Sequence, residues 1–453
     1  MFYNINNFKK KIALKDTDGS QVSYNDLIIN GNYLIEKINK NSVILNITSN
    51  EADCIVGYVA FLRNKICQIL LDKNFEIEYI KKIIKNYKPD YIFAPSNFDF
   101  GDQYKKNIIT FKKYFLFKNC KKNSLKLNKL NNLLLTTSGS TQSPKFVRFS
   151  SKNIHTNVKS ISNILKINSN HTTITTMPMA YSYGLSIINT HLYKGAKIVL
   201  NNSNIFDKDF WKKIYLNNVN SFGGVPLFYE YLNRLNLNNF NLKNVKYLTQ
   251  AGGLLNIDIK KKLLKIFKKK KIKFYIMYGQ TEAGPRITTL DLNKNEKKID
   301  SVGKPLKSIN VYIKKNKKYG EITLKSKSIC LGYAEDFKDL QNGDKNNEKL
   351  NTGDLGFIDK EGFIYITGRK KRISKLFGLR IELDDLEKYL IKKKINCKIY
   401  SDDKQLFIQT TLSSNILKIK ELIQNKYKIN KKFIKIIKKD KIIKSNFKTF
   451  KLK

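Results

Sequence analysis

Short β-rich runs alternating with helix-length amphipathic stretches constrain this chain more than any other feature. Ser42–Thr48, Ile66–Leu71 and Tyr91–Ala94, the last closed by Pro95, are rich in β-branched, aliphatic and aromatic residues. Between them lie Glu51–Leu62, of helical spacing behind a cap at Ser49-Asn50, and the lysine-rich amphipathic stretch Phe75–Asn86. Strands joined through helices of this length return in the same direction, because such a crossover cannot close a hairpin. The expected product is a parallel sheet with helices on its faces.

After a polar stretch, Lys118–Asn132, and the apolar Leu133-Leu134-Leu135, the alternation resumes. Thr172–Met177, Lys197–Leu200, Ser221–Val225, Lys246–Gln250 and Lys273–Tyr278 all read as strands. Gly303–Asp359 carries several short β runs with glycine turns and predicts a small β-subdomain. Residues 367–453 mix strands and helices, including a helix over Asp384–Lys393. No internal repeat or proline-rich linker marks a boundary. At 453 residues the chain is too long for one ordinary core and predicts two or three structural units.

Charge narrows the partners. Lysine plus arginine number 86 against 37 acidic residues, a net charge of +49, which first suggests nucleic acid. The lysines, however, are spread through nearly every segment, as in Leu254–Tyr275 and Lys431–Lys444, rather than gathered on one tail or patch. A chain-wide compositional bias is the better reading, and nucleic acid is disfavoured as the main partner. The field still draws anions, and both ATP and an acidic carrier protein qualify. Five scattered cysteines without CxxC spacing indicate neither a disulfide framework nor a zinc site. The three histidines, His155, His171 and His191, are read as structural. The N-terminus lacks the apolar run of a signal peptide, and Ile55–Leu62 stops at Arg63, far short of a membrane span. A cytoplasmic location is expected.

The chemistry starts at Thr136-Thr137-Ser138-Gly139-Ser140-Thr141-Gln142-Ser143-Pro144-Lys145, which follows a strand-like run. Small residues let backbone N–H groups approach phosphate oxygens, hydroxyls add donors, and Lys145 adds charge. It is not a Walker A loop, because Pro144-Lys145-Phe146 stands where Gly-Lys-Ser/Thr is required. The order of residues resembles the phosphate loop of the adenylate-forming superfamily, which includes acyl-CoA synthetases, nonribosomal peptide adenylation domains and luciferase-like ligases. Gln142 and Phe146 depart from it, standing where glycine is usual.

Further segments resemble that superfamily in order and spacing. Gln250-Ala251-Gly252-Gly253 is similar to the glycine-rich turn behind the adenine, and Tyr278-Gly279-Gln280-Thr281-Glu282 to its adenine and magnesium motif. The resemblance implies that Tyr278 stacks on adenine, Thr281 meets a phosphate and Glu282 holds Mg²⁺. Thr352-Gly353-Asp354 matches the ribose-binding motif, with Asp354 accepting from the ribose hydroxyls. Gly368–Ile381 resembles the hinge and first strands of a C-terminal lid, with Arg369 on the ribose, Lys371 at the hinge and Gly378 beside the thiol tunnel. Near the end, Lys448 aligns with the catalytic lysine, although Ile443 and Phe447 replace a proline and a glycine, and Lys444 and Lys451 compete for the role.

The resemblance therefore implies an α/β fold. A large N-terminal domain over residues 1–367 would hold mixed and parallel sheets sandwiched by helices, with a small β-subdomain. A small mobile α+β domain would follow over residues 368–453, hinged near Lys371. It further implies an AMP-forming acid–thiol ligase that uses ATP and Mg²⁺ and passes the acyl group to the thiol of CoA or of a phosphopantetheinyl carrier protein. Carboxylate attack on the α-phosphate brings anion onto anion, so positioning and fixed positive charge suffice and no acid–base histidine is needed.

Met177–Ser186 resembles one wall of the acyl pocket, with Tyr181, Tyr183 and Gly184 facing the acid. Amino-acid-activating relatives commonly carry Asp where Gly184 stands, so an uncharged acyl or aryl acid is favoured over an amino acid. Two other readings stay open: an amino-acid-activating carrier-protein ligase, and a basic nucleic-acid-binding protein on a degenerate ligase fold.

Overall fold

A computed structural model describes residues 2–109, 113–121, 127–136, 145–313, 319–370, 373–376, 379–402, 404–410 and 415–438. The chain divides into two compact units, Met1–Gly368 and Arg369–Lys453.

The first unit is built on two large sheets. In the eight-stranded sheet, Val43–Thr48 runs parallel to both Cys67–Asp72 and Tyr91–Pro95, and Cys67–Asp72 runs parallel to Leu133–Thr136. The helices Ala52–Arg63 and Ile77–Tyr87 make the crossovers. The nine-stranded sheet sets Ser221–Gly224, Tyr247–Gln250 and Lys273–Tyr278 parallel, with Thr288–Asp291 antiparallel at Lys273–Tyr278.

Alternation along a strand assigns its two faces. Val43, Leu45 and Ile47 join the core beneath Ile77–Tyr87, whereas Ile44 joins the one containing Ala52–Arg63. Ala52 and every residue from Cys54 to Leu62 are buried, because this helix lies between the two sheets together with parts of Tyr24–Glu36, Ser151–Ile164 and Ser182–Tyr193. A third core covers the opposite face of the nine-stranded sheet with Lys208–Leu216, Pro226–Leu232 and Ile257–Lys269. The lysines follow the geometry. In Ile257–Lys269 the residues Leu263, Leu264 and Phe267 are buried at helical spacing, while most of its lysines face solvent.

Two expectations are revised. The polar stretch Lys118–Asn132 hides the end of an antiparallel pair, Tyr104–Ile109 with Tyr114–Asn119, which extends the eight-stranded sheet. The β runs of Gly303–Asp359 do not form one subdomain. Asn310–Ile313, Gly320–Lys325 and Lys349–Ile358 make a four-stranded sheet with Ile364–Arg369, but Lys304–Pro305 and Gly332–Ala334 join the two large sheets. Backbone pairing partners over such distances leave no trace in local spacing.

The second unit has a two-stranded pair, Ile373–Leu376 with Leu379–Glu382, and a sheet of Cys397–Ser401, Leu406–Thr410 and Ile434–Lys438. The helices Leu383–Lys392 and Ile416–Tyr427 bury Leu386, Leu390, Ile419 and Ile423 in its own core. Among the described residues no helix is long and apolar enough to cross a membrane. All five cysteines are free.

Candidate active site

The site begins at a hairpin. Leu133–Thr136 pairs antiparallel with Phe146–Phe149, Thr136 opposite Phe146, so the Ser/Thr/Gly segment is the connection between two neighbouring strands. Thr137, Ser138, Gly139, Ser140 and Thr141 themselves lie outside the described residues, as does Gln142. Phe146, standing where the superfamily favours glycine, is fully buried and meets Tyr87 edge to face at 5.3 Å. It anchors the hairpin's second strand in the core.

The same strand pairs on its other side with Gly332–Ala334, placing Tyr333 opposite Val147. From there the Tyr333 ring lies 4.1 Å under the Lys145 ammonium, and its hydroxyl donates to Glu282 Oε1 at 2.9 Å. The backbone supports this contact, since Cys330 N donates to the Glu282 carbonyl at 2.9 Å. Lys145 also pairs with Glu335 at 3.7 Å. Tyr333 thus connects the cation at the end of the hairpin loop to the buried carboxylate. The sequence gives no local sign of this role, because 51 residues separate Tyr333 from Glu282.

Glu282 sits in the short turn Thr281–Ala283 directly after the strand Lys273–Tyr278. Gly279 is required there by close approach: a Cβ would come within 1.7 Å of the Pro285 carbonyl oxygen. Thr281 Oγ1 meets Ser182 Oγ at 3.0 Å at the start of the helix Ser182–Tyr193. At the strand's end, the Tyr278 hydroxyl donates to Asp354 Oδ2 at 2.5 Å, joining residues 76 apart in the chain. Asp354 is buried, its backbone N–H donating to Thr352 Oγ1 at 3.0 Å.

In the turn after Tyr247–Gln250, Gln250 Nε2 donates to the Gly253 carbonyl at 2.9 Å. Gly252 has φ +87°, a left-handed conformation that favours glycine, and a Cβ there would lie 2.7 Å from the Tyr181 hydroxyl. Tyr183 is buried and donates to the Thr249 carbonyl at 2.7 Å. Gly184 needs its hydrogen for packing: a Cβ would meet the Pro178 carbonyl oxygen at 2.4 Å. The position is closed to any side chain on this backbone. The glycine is fixed by packing, and the position presents no carboxylate to an ammonium group.

The histidines are held neutral by burial. His191 is pushed down to about 3, chiefly by desolvation, and its Nδ1 is 2.8 Å from the Ile187 carbonyl oxygen. Burial lowers His155 and His171 as well. Among the described residues no cluster of three or more His, Cys, Asp or Glu could hold a metal. Arg369 opens the second unit, while Lys371, Gly378, Lys444, Lys448 and Lys451 lie outside the described residues.

Tyr278 ends a strand of the nine-stranded sheet, Thr281 and Glu282 follow it in the next turn, and Asp354 reaches Tyr278 from the four-stranded sheet, so polar groups from separate segments meet at a strand end, where ligands of open α/β folds bind. A family model described as AMP-binding enzyme matches residues 2–334, and the chain belongs to that family. It is 28% identical over 265 residues to an oxalate–CoA ligase of Saccharomyces cerevisiae, covering 56% of this chain and 48% of the relative. A 2-succinylbenzoate–CoA ligase of Bacillus cereus is 28% identical over 266 residues, covering 57% and 54%. The chain spans about half the length of the curated relatives it matches.

The fold agrees with o-succinylbenzoate CoA synthetase of Bacillus subtilis. Bound with a product analogue, that protein gives a TM-score of 0.73 at 18% identity, covering 97% of this chain and 94% of the other. In complex with ATP and magnesium ion it gives 0.68 at 19%, covering 98% and 96%.

Proposed function

We propose that this protein is an AMP-forming acid–thiol ligase, which converts a carboxylate and MgATP to an acyl-adenylate and pyrophosphate and then transfers the acyl group to a thiol. The observation that carries the reading is the 2.5 Å hydrogen bond from Tyr278 to Asp354, with Glu282 four residues further along the same turn. A base-stacking ring, a carboxylate for ribose hydroxyls and a carboxylate for a cation are thereby brought to one strand end.

In this reading Tyr278 and Asp354 orient the nucleoside, and the 137–145 loop with Thr281 takes the phosphates. The residues suit Mg²⁺ carried in on a nucleotide better than a resident metal, because one buried carboxylate, Glu282, is offered rather than a cage. Bound there, the cation would offset phosphate charge. Tyr333 keeps the Glu282 carboxylate aimed by occupying one of its oxygens. Lys448 is assigned to the carboxylate and α-phosphate, and the unit from Arg369 onward, turning near Lys371, is assigned to exchange the two half-reactions. Gly252 and Gly253 are assigned to the turn behind the adenine, and Tyr181, Tyr183 and Gly184 to the wall of the acid pocket. The relatives' names supply two acids, oxalate and 2-succinylbenzoate, and one acceptor, CoA. We assign CoA as the acceptor, with a carrier-protein phosphopantetheine presenting the same thiol arm.

The test is ATP–pyrophosphate exchange across a panel of carboxylates. Exchange that depends on the added acid supports the reading, and its absence with every acid ends it. Lys448→Ala should abolish adenylate formation while sparing thioester formation from presynthesised acyl-adenylate. Equal loss in both half-reactions would remove Lys448 from the role.

A further inference from the structure

Arginine is scarce in this chain, with seven among 86 basic residues, yet Arg148 and Arg286 head its largest fully buried side chains. Arg286 is 2% exposed. Its Nη1 meets only the Met277 sulfur, at 3.2 Å, and its guanidinium carbon lies 4.7 Å from the centre of the Tyr183 ring. Nε has no hydrogen-bond partner, and no carboxylate pairs with the group among the described residues. The groups shown about it are aromatic or apolar: Tyr183, Met277 and Tyr247. A guanidinium does not lose its proton to escape such a place, and a buried charge without a counter-ion is destabilising.

Position supplies the other half of the case. Arg286 follows Glu282 by four residues, and its two side-chain contacts flank the candidate site. Met277 immediately precedes Tyr278, and Tyr183 belongs to the segment that carries Tyr181 to the Gly252 turn. The fork of donors therefore sits behind the region assigned to the acid. An apolar substrate tail would leave those donors without acceptors, whereas a carboxylate matches them in a two-pronged geometry.

We infer that Arg286 recognises a second, non-reacting carboxylate on the substrate, so that the acid activated is a dicarboxylic acid. This rests on the ligase reading above. One carboxylate attacks the α-phosphate; the other stays ionised against Arg286 and fixes the length of substrate that fits between them.

The experiment is ATP–pyrophosphate exchange on the full-length protein with matched pairs, glutarate against butyrate and phthalate against benzoate, alongside a thermal melt. The wild type should prefer the better diacid by about 100-fold or more in kcat/KM, as expected where a buried donor is left unpaired by the analogue. Arg286→Met should bring that diacid down to the level of its monoacid partner, with the KM for ATP held and no fall in melting temperature. Arg286→Lys, which keeps the charge but loses the fork, should retain part of the preference. Exchange that ignores the second carboxylate, or an Arg286→Met variant that loses both acids equally, overturns the inference while leaving the ligase reading intact. No exchange with any acid ends both.

Discussion

Two arginines are buried equally deep in this protein and are treated in opposite ways. Arg148, fully buried on the hairpin's second strand, donates to the carbonyls of Tyr333, Leu331, Asn342 and Gly343 and to Asn131 Oδ1, at 2.7 to 3.2 Å. Arg286, behind the candidate acid site, has one sulfur and one ring face. Burial lowers the proton affinity of both, so the environments differ in acceptors and not in depth. An arginine whose donors are met from within the chain is a fastener. One whose donors are left over is kept for something that arrives from outside.

The largest expected effect comes from treating the two alike. Arg148→Met leaves four carbonyls without their donor and should cost roughly 3–5 kcal/mol in denaturant unfolding. Arg286→Met removes a charge that no carboxylate offsets among the described residues and should leave stability unchanged or raised. Equal destabilisation of the two variants would erase the contrast. Arg148→Met should also lower pyrophosphate exchange, because Arg148 holds the Tyr333 carbonyl on the strand that brings Tyr333 to Glu282.

A narrower effect separates that support from the chemistry. Tyr333→Phe keeps the ring beneath Lys145 but frees Glu282 Oε1. Exchange should fall about tenfold, in line with about 1.4 kcal/mol of lost positioning, and the magnesium concentration needed for half-maximal rate should rise. A variant with wild-type magnesium dependence would make Tyr333 a packing residue only.

The smallest effect is the most specific. His191 is lowered to about 3 by burial first, opposed by the Ile187 carbonyl, with the charges of His171 and Arg286 lowering it further. Its folded value lies below its unfolded one, so its contribution is complete above about pH 6.5 and declines as pH falls toward 3, by up to about 1.4 kcal/mol per pH unit. His191→Gln should flatten the acid limb of the stability profile. In Arg286→Met the His191 titration followed by NMR should move upward by a fraction of a unit. No movement would place the Arg286 charge too far away to act.

The helices and parallel strands of residues 42–95 were legible because short apolar runs buried along their whole length, such as Val43–Thr48 and Tyr91–Pro95, alternate with helix-length stretches such as the amphipathic Ile77–Tyr87. The motif residues Tyr278, Glu282 and Asp354 were legible from order and spacing. Tyr333 was not, since its role depends on which strand Phe146–Phe149 selects as a neighbour. The packing constraint on Gly184 was not legible either, because a glycine needed for backbone packing looks the same in sequence as any other pocket glycine. Arg286 carried a signal that spacing does not register: an arginine retained in a chain that otherwise uses lysine.

Tyr278 and Asp354, joined by their hydrogen bond, should grip one nucleotide together. ATP affinity measured by calorimetry on Tyr278→Phe, Asp354→Asn and the double variant tests this most directly. The predicted result is weaker binding in both single variants with an interaction energy above about 0.5 kcal/mol. ATP affinity equal to wild type in both single variants would contradict it.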